Sequence, residues 1–378
     1  MRKALLRSTP LLRALPLIVP LAACAGGEVA PTPDAQTRRV PAEWEPHAAT
    51  WMQWPGPWEA AMRPAFADIV QVVQAYEPVH MLIGSDEAKA KAQSLLAEQG
   101  VTETDLTWQL VPTDNAWMRD NGPIWAEVNG ALTVLDFGFD AWGGNFGEDI
   151  PYTNDDAVPS FVAETTGAPR EDHGAYVLER GNLEVNGAGV ALLNWDCQDD
   201  RNPGLSQAEH EAILREALGL SKILWAYGHD PADGTIGHID GTARFLDADT
   251  VAIGETSWGA ETEDALAAAC EAAGLEVVRV PAPGATDYMN WLVGDGFVVG
   301  MAFGDAEADG VAEALLTAAF VGRDVYMIDA TSLWESGGGV HCVTNDQPGG
   351  RGGGVTRRVA RRPPPPGAQT PPPRPLSG

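Results

Sequence analysis

One turn signal recurs along this chain and constrains its fold more than any other feature. Asn129-Gly130 separates the apolar pair Ile124-Trp125 from residues 132–137, and Asn186-Gly187 separates residues 183–185 from 190–193. Further turns fall at 247–249 and 294–296. Asparagine followed by glycine tolerates the positive φ angles that a two-residue hairpin demands, so each turn predicts a pair of antiparallel strands. A helical pattern and a short apolar strand follow each hairpin: residues 158–166 then 176–178, 206–218 then 223–227, 262–273 then 275–280, and 306–320 then 325–328. Ser206 is placed to cap the second of these helices. A fifth unit can be assembled from the two ends of the body, with a helix at 63–76, a strand at 79–83, and strands near Trp51 and Val340.

Five ββαβ units with a split closing unit predict one α/β domain, a five-bladed propeller of pseudosymmetric units spanning 41–350. The alternative is a mixed α/β domain without symmetry. In the symmetric arrangement, equivalent positions converge at one end of the axis. Residues far apart in sequence then line one pocket: Asp120 before the first hairpin, Asn182 and Glu184 opening the second, His238 and Asp240 before the third, Asn290 opening the fourth, and Cys342 in the closing unit.

The two ends read differently from the body. Residues 1–23 carry four basic residues and no acid, then an apolar stretch too short to span a membrane, ending at Leu21-Ala-Ala-Cys24. That pattern resembles a bacterial lipobox and predicts an exported lipoprotein, anchored to a membrane only through lipid on Cys24. Residues 24–40, rich in Pro, Ala and Thr, read as a flexible tether, and 351–378, with six Arg and runs of Pro, as a disordered tail. All 53 acidic residues fall within 25–350, while 10 of the 24 Lys and Arg lie in 1–23 and 351–378. A body so acidic excludes nucleic acid as a partner and suits a cationic one.

Cys24, Cys197, Cys270 and Cys342 form no Cys-x-x-Cys pair, which leaves a structural zinc site without support. Cys197 and Cys270 could pair in an oxidising compartment, although the Ala-rich pattern around Cys270 favours a buried core thiol. Cys342 follows three glycines, Gly337-Gly-Gly339, that leave backbone room for a substrate. A guanidinium carbon is a poor electrophile because its charge is spread over three nitrogens, so attack needs an anionic nucleophile. A thiolate beside a cation meets that need. Asp120 and Asp240 offer carboxylates that can each accept a fork of two N–H bonds. His238, two residues before Asp240 in a segment read as extended, titrates near neutrality and can move protons. A metal is the competing use of His238 and Asp240, but no third ligand with suitable spacing accompanies them.

Seven ordered motifs carry a resemblance: Pro41-Ala-Glu-Trp-Glu-Pro-His47, Trp51-Met-Gln-Trp-Pro55, Trp117-Met-Arg-Asp-Asn-Gly-Pro123, Asp136-Phe-Gly-Phe-Asp-Ala-Trp-Gly-Gly144, Arg201-Asn-Pro-Gly204, Gly237-His-Ile-Asp240 with Ala243-Arg-Phe245, and Gly337-Gly-Gly-Val-His-Cys342. Together they resemble the agmatine deiminase and bacterial peptidylarginine deiminase family. The resemblance implies a five-bladed α/β propeller and hydrolysis of a guanidine to a ureido group and ammonia, without metal or other cofactor. It implies Cys342 as nucleophile, His238 as general acid and base, Asp120 and Asp240 as guanidinium-binding carboxylates, and Trp117, Asn290, Glu184 and Asp140 as substrate contacts. Arg180 stands where the family has glycine, and Asp140 where agmatine deiminases have asparagine. Gly241 and Thr242 also depart from the pattern. Asp140 would favour an ammonium tail and Arg180 a carboxylate, so agmatine, free arginine and peptidyl arginine all stay open. Trp117 and the Ala-Trp-Gly-Gly and N-terminal motifs favour agmatine. A lipoprotein that binds guanidines or polyamines without turnover is the non-enzymatic alternative.

Overall fold

The computed structural model describes residues 37–350, apart from 148, 256–259 and 283–286. The expected signal at 1–23, the lipidation at Cys24, most of the tether and the tail at 351–378 lie outside the described residues.

The hairpin signals read correctly. Ile124–Val128 pairs antiparallel with Ala131–Gly138 across Asn129-Gly130, whose φ angles are 51° and 81°. Arg170–Val177 then returns parallel to the second strand, after the helix Val158–Thr166. The same order recurs three times. Glu184–Val185 and Val190–Asn194 are followed by Gln207–Leu218 and Lys222–Ala226. Ala243–Phe245 and Thr250–Glu255 are followed by Ala260–Ala272 and Glu276–Pro281. Leu292–Gly294 and Phe297–Ala302 are followed by Ala306–Ala319 and Asp324–Asp329. In the second unit Ser206 and Glu209 form a capping box that ends the unpaired N–H run at the helix start.

The fifth sheet joins the ends of the described chain. Asn345–Pro348 pairs antiparallel with His47–Gln53, which pairs parallel with Val79–Ile83 after the helix Arg63–Val73. The described residues thus form a mixed α/β fold of five sheets, each with an antiparallel pair and a parallel return strand. The fifth sheet is wider than expected, because the helix Asp86–Glu98 leads to an added strand, Leu106–Leu110. Helix burial follows the apolar stripe: Phe66, Ile69, Val70 and Val73 of Arg63–Val73 are all fully buried.

Three local expectations are corrected. Order begins before residue 41, since Arg38–Arg39 adds a strand beside Ile124–Val128, with Arg39 paired to Glu45 and Glu127. The strand expected near Val340 starts instead at Asn345. Residues 340–343 form a turn, in which the Thr344 hydroxyl donates to the carbonyls of Val340 and His341. The segment from His238 to Asp240 is not extended: Ile239–Gly241 is a single 3-10 turn, with His238 at its start.

Candidate active site

The three polar segments that stand apart in sequence meet. Asp120 lies on the short helix Met118–Asn121, whose Arg119 backbone N–H donates to the Cys342 carbonyl at 3.0 Å. The Cys342 backbone N–H donates to Asn290 Oδ1 at 3.1 Å, and the His341 N–H to the Asn290 carbonyl at 3.1 Å. Asn290 therefore clamps the turn that presents the thiol. A side chain on Gly338 would collide with the Trp117 ring at 2.4 Å and press on Cys342 Sγ at 3.1 Å, so bare backbone separates indole from thiol.

His238 is buried between two carboxylates. Its Nε2 lies 2.6 Å from Glu179 Oε2 and its Nδ1 3.5 Å from Asp120 Oδ1. Gly181 permits this approach, because a Cβ there would sit 2.4 Å from His238 Nδ1 and 2.6 Å from Asp120 Oδ1. Asp120 Oδ2 accepts from the Trp142 indole at 2.9 Å, while Oδ1 is buried without a hydrogen bond. An unsatisfied buried carboxylate oxygen is costly, and a cationic N–H donor is its natural complement. Asp240 Oδ2 lies 2.6 Å from His341 Nδ1.

Charge and burial set the protonation states. Burial pushes the Asp120 carboxyl up to about 6, with His238 opposing and Glu179 and Asp240 adding to the rise. Burial also raises the Cys342 thiol well above its ordinary value, and the Asp240 and Asp120 charges raise it further. Burial opposes a charge on His238, but Asp120 and Glu179 outweigh it and hold the imidazole well above its ordinary range. Burial opposes the charge on Asp240 too, yet His341 and His238 keep its carboxyl low. Without substrate the pocket thus holds a neutral thiol, an imidazolium and anionic carboxylates.

Several expectations shift. Glu184 does not face this pocket, because Arg244 binds its carboxylate and also donates to Glu43 at 2.7 Å. Arg180 is not available to a substrate carboxylate, since it donates to Asp346 Oδ2 at 2.7 Å and to Asn345 Oδ1 at 3.2 Å. Arg119 pairs with Asp346 at 3.0 Å. Asp140 Oδ1 accepts from the Gly143 N–H at 2.8 Å, which ties it to the loop carrying Trp142. Cys197 and Cys270 are both free and buried, so they do not pair.

Sequence reasoning missed the residues that hold the pocket. Arg201 donates to both oxygens of Glu179, at 2.7 and 3.3 Å, and so fixes the carboxylate that holds His238. His341 Nε2 reaches Glu43 Oε2 at 2.8 Å, linking Asp240 to the Glu43 and Arg244 pair. Cys197 Sγ stands 3.9 Å from Glu179 Oε2. Glu43, Arg201 and Arg244 stand inside the ordered motifs, and His341 beside Cys342, but local sequence gave none of them a partner.

The fold and its pocketed cysteine and histidine define a hydrolase acting on the carbon–nitrogen bonds of linear amidines. A family model, the Porphyromonas-type peptidyl-arginine deiminases, matches residues 39–348, and the chain belongs to that family. The agmatine deiminase of Stutzerimonas stutzeri is 30% identical over 367 residues, covering 84% of this chain and 97% of that protein. The agmatine deiminase of Pseudomonas aeruginosa is 29% identical over 370 residues, covering 85% and 98%. Among solved structures, the agmatine deiminase of C. jejuni with substrate bound superposes with a TM-score of 0.74 at 22% identity, covering 84% of this chain and 98% of that one.

Proposed function

We propose that the chain hydrolyses agmatine to N-carbamoylputrescine and ammonia through a covalent intermediate on Cys342. The observation that carries this reading is the contact network that joins the Cys342 turn to the Asp120 helix and Asn290, Asp240 to the neighbouring His341, and the buried His238 to Asp120. A guanidinium held by Asp120 and Asp240 neutralises the two charges that raise the thiol, so substrate binding itself favours the thiolate. On substrate binding the thiol proton passes to solvent, since His238 already carries its own; the thiolate attacks the guanidinium carbon, and His238 gives its proton to the departing nitrogen, releasing ammonia and leaving an S-alkylthiouronium. His238 then takes a proton from water as the hydroxide attacks the thiouronium carbon, the C–S bond breaks with the electron pair returning to sulfur, and the remaining O–H proton is lost to re-form the thiol, leaving the ureido product. Glu179 holds Nε2 throughout, which leaves Nδ1, on the Asp120 side, to carry the proton.

Agmatine is favoured over arginine or peptidyl arginine by the relatives at about 30% identity. It is favoured also because Arg180, which the sequence offered to a substrate carboxylate, donates instead to Asp346. We read the five sheets as the blades of a five-bladed propeller, supported by their common strand order and by the closing pair of Asn345–Pro348 with His47–Gln53. The body is further proposed to be exported and tethered by lipid at Cys24. Mass analysis of the mature N-terminus should find a diacylglyceryl group there, and an unmodified start elsewhere would end that proposal.

The deciding experiment measures ammonia release from agmatine, free arginine and a short arginine-terminated peptide, beside Cys342→Ala. Agmatine turnover that vanishes in the variant is expected. Turnover of the peptide or of arginine alone would reassign the substrate, and binding without ammonia release in wild type would make the chain a binding protein.

A further inference from the structure

Behind His238, on the Nε2 side opposite the Asp120 contact, three residues of different chemistry converge. One ligand atom each from Glu179, Cys197 and His238 lies within 4.8 Å of the other two, and all three residues are buried. Cys197 comes from the helix Trp195–Arg201, Glu179 precedes the 3-10 turn Arg180–Asn182, and His238 starts the turn Ile239–Gly241. We propose that this cluster is a binding site for a borderline or soft divalent cation such as zinc, and that its occupation switches the enzyme off.

The donor set fits. Thiolate, imidazole and carboxylate are the protein ligands of zinc, with metal–ligand distances of about 2.0–2.3 Å, so three ligands around one ion stand roughly 3–4 Å apart. Glu179 Oε2 already lies 2.6 Å from His238 Nε2 and 3.9 Å from Cys197 Sγ, and small side-chain adjustments close the set. Arg201 Nε holds Glu179 Oε1 at 2.7 Å and Nη2 reaches Oε2 at 3.3 Å, which fixes the carboxylate and leaves the second lone pair of Oε2 for the ion, the outer support that metal carboxylates use. The thiolate and carboxylate balance the two charges of the cation. The second such cluster, Glu43, Glu184 and His341, differs in that Arg244 already bridges its two carboxylates.

Binding would release the Cys197 thiol proton and any proton on Nε2 to solvent, and no electrons move. The cation takes the Nε2 lone pair and breaks the Glu179 hydrogen bond that orients the ring. Asp120, Asp240 and Cys342 stay untouched, so guanidine binding persists while proton transfer stops. The inhibitory effect rests on the role proposed above for His238; the site itself does not.

Cobalt(II) tests the site apart from activity. The full chain carrying Cys24→Ser and Cys342→Ala should bind cobalt with a sulfur-to-metal charge-transfer band. That band should vanish on adding either Cys197→Ser or Cys197→Ala, with the near-ultraviolet circular dichroism unchanged. Absence of the band in the parent, or its persistence without Cys197, overturns the site. In the wild type, zinc should lower kcat with KM little changed, and a chelator should restore activity. Relative to its own metal-free rate, Cys197→Ser should need at least about 10-fold more zinc for the same inhibition. Inhibition purely competitive with agmatine, or equal in Cys197→Ser, would place the metal on Cys342 instead and overturn the proposal.

Discussion

His341 holds Asp240 through a contact of 2.6 Å between Nδ1 and Oδ2, so the residue next to the thiol in sequence grips a carboxylate of the pocket. The other ring nitrogen rests on Glu43, itself bound to Arg244, and the chain of contacts is buried along its length. The Cys342 turn and the Ile239–Gly241 turn are thereby held to one another by a buried polar contact.

His341→Ala should therefore leave a thiol and a histidine in place but release Asp240. Misplacement of a catalytic group by about 1 Å costs on the order of 100-fold, so kcat/KM for agmatine should fall by about that factor. Steady-state ammonia release measures it. A loss below about 3-fold would show that Asp240 is positioned by its own turn, without His341.

Glu184 and Asp240 make a contrasting pair, since both were expected to contact substrate. Breaking a buried ion pair by removing one partner costs about 3–5 kcal/mol, because the other charge stays buried. Glu184→Gln leaves Arg244 partly unpaired and should lower the unfolding free energy by that order, read by denaturant unfolding, with KM nearly unchanged. Asp240→Asn should do the reverse, raising KM sharply or abolishing turnover. A large KM effect in Glu184→Gln would return that residue to the pocket.

Much of this architecture was readable from local chemistry. The Asn129-Gly130 turn, the Ser206 cap and the apolar stripe of Arg63–Val73 each encode their own geometry within a few residues, and each was found, while Asn186-Gly187 marks a hairpin whose loop is longer, residues 186–189, and only its glycines take positive φ. The strand Leu106–Leu110 was not, although Leu106, Trp108 and Leu110 alternate with Thr107 and Gln109 as a half-exposed strand should, because the ββαβ repeat has no place for a further strand after Val79–Ile83. The bend at His238 escaped because a two-residue period assumes an extended chain, whereas Gly237, at φ 83°, and Gly241 allow a tight turn. The site's acids, thiol and imidazole were legible as chemistry. Their supports were not: Arg201 on Glu179 and Arg180 on Asp346 are pairings made in space, 22 and 166 residues apart.

His47 links the closing sheet to the same buried charges, with Nδ1 3.1 Å from Glu77 Oε1 and Nε2 2.7 Å from the Glu43 carbonyl. Burial opposes its charge, yet Glu77 outweighs burial and lifts the imidazole from 6.5 to about 10. A raised histidine stabilises the fold fully below its unfolded value, and the contribution fades as pH rises from 6.5 through 10. His47→Gln should accordingly be most destabilising near pH 6 and least near pH 10, as followed by thermal unfolding across that range. An equal destabilisation at both ends would mean that His47 is neutral in the fold.

Asp120 carries the opposite sign of effect, and it separates stability from function. Its carboxyl is raised from 3.8 to about 6, chiefly by burial, so its charge, carried above pH 6, costs the substrate-free fold stability. Its stabilising contribution is present in full below pH 3.8 and lost as pH rises through 6, a change of about 3 kcal/mol at 1.36 kcal/mol per unit. Asp120→Asn keeps an oxygen for the Trp142 indole and has no charge to bury. It should therefore unfold at a higher temperature than wild type at pH 8, with the difference shrinking towards pH 4, while losing turnover at every pH. The wild type should show KM for agmatine rising as pH falls below about 6, where the carboxylate that grips the guanidinium is neutralised. If Asp120→Asn is instead less stable at pH 8, the charge of Asp120 is needed to support His238 even without substrate.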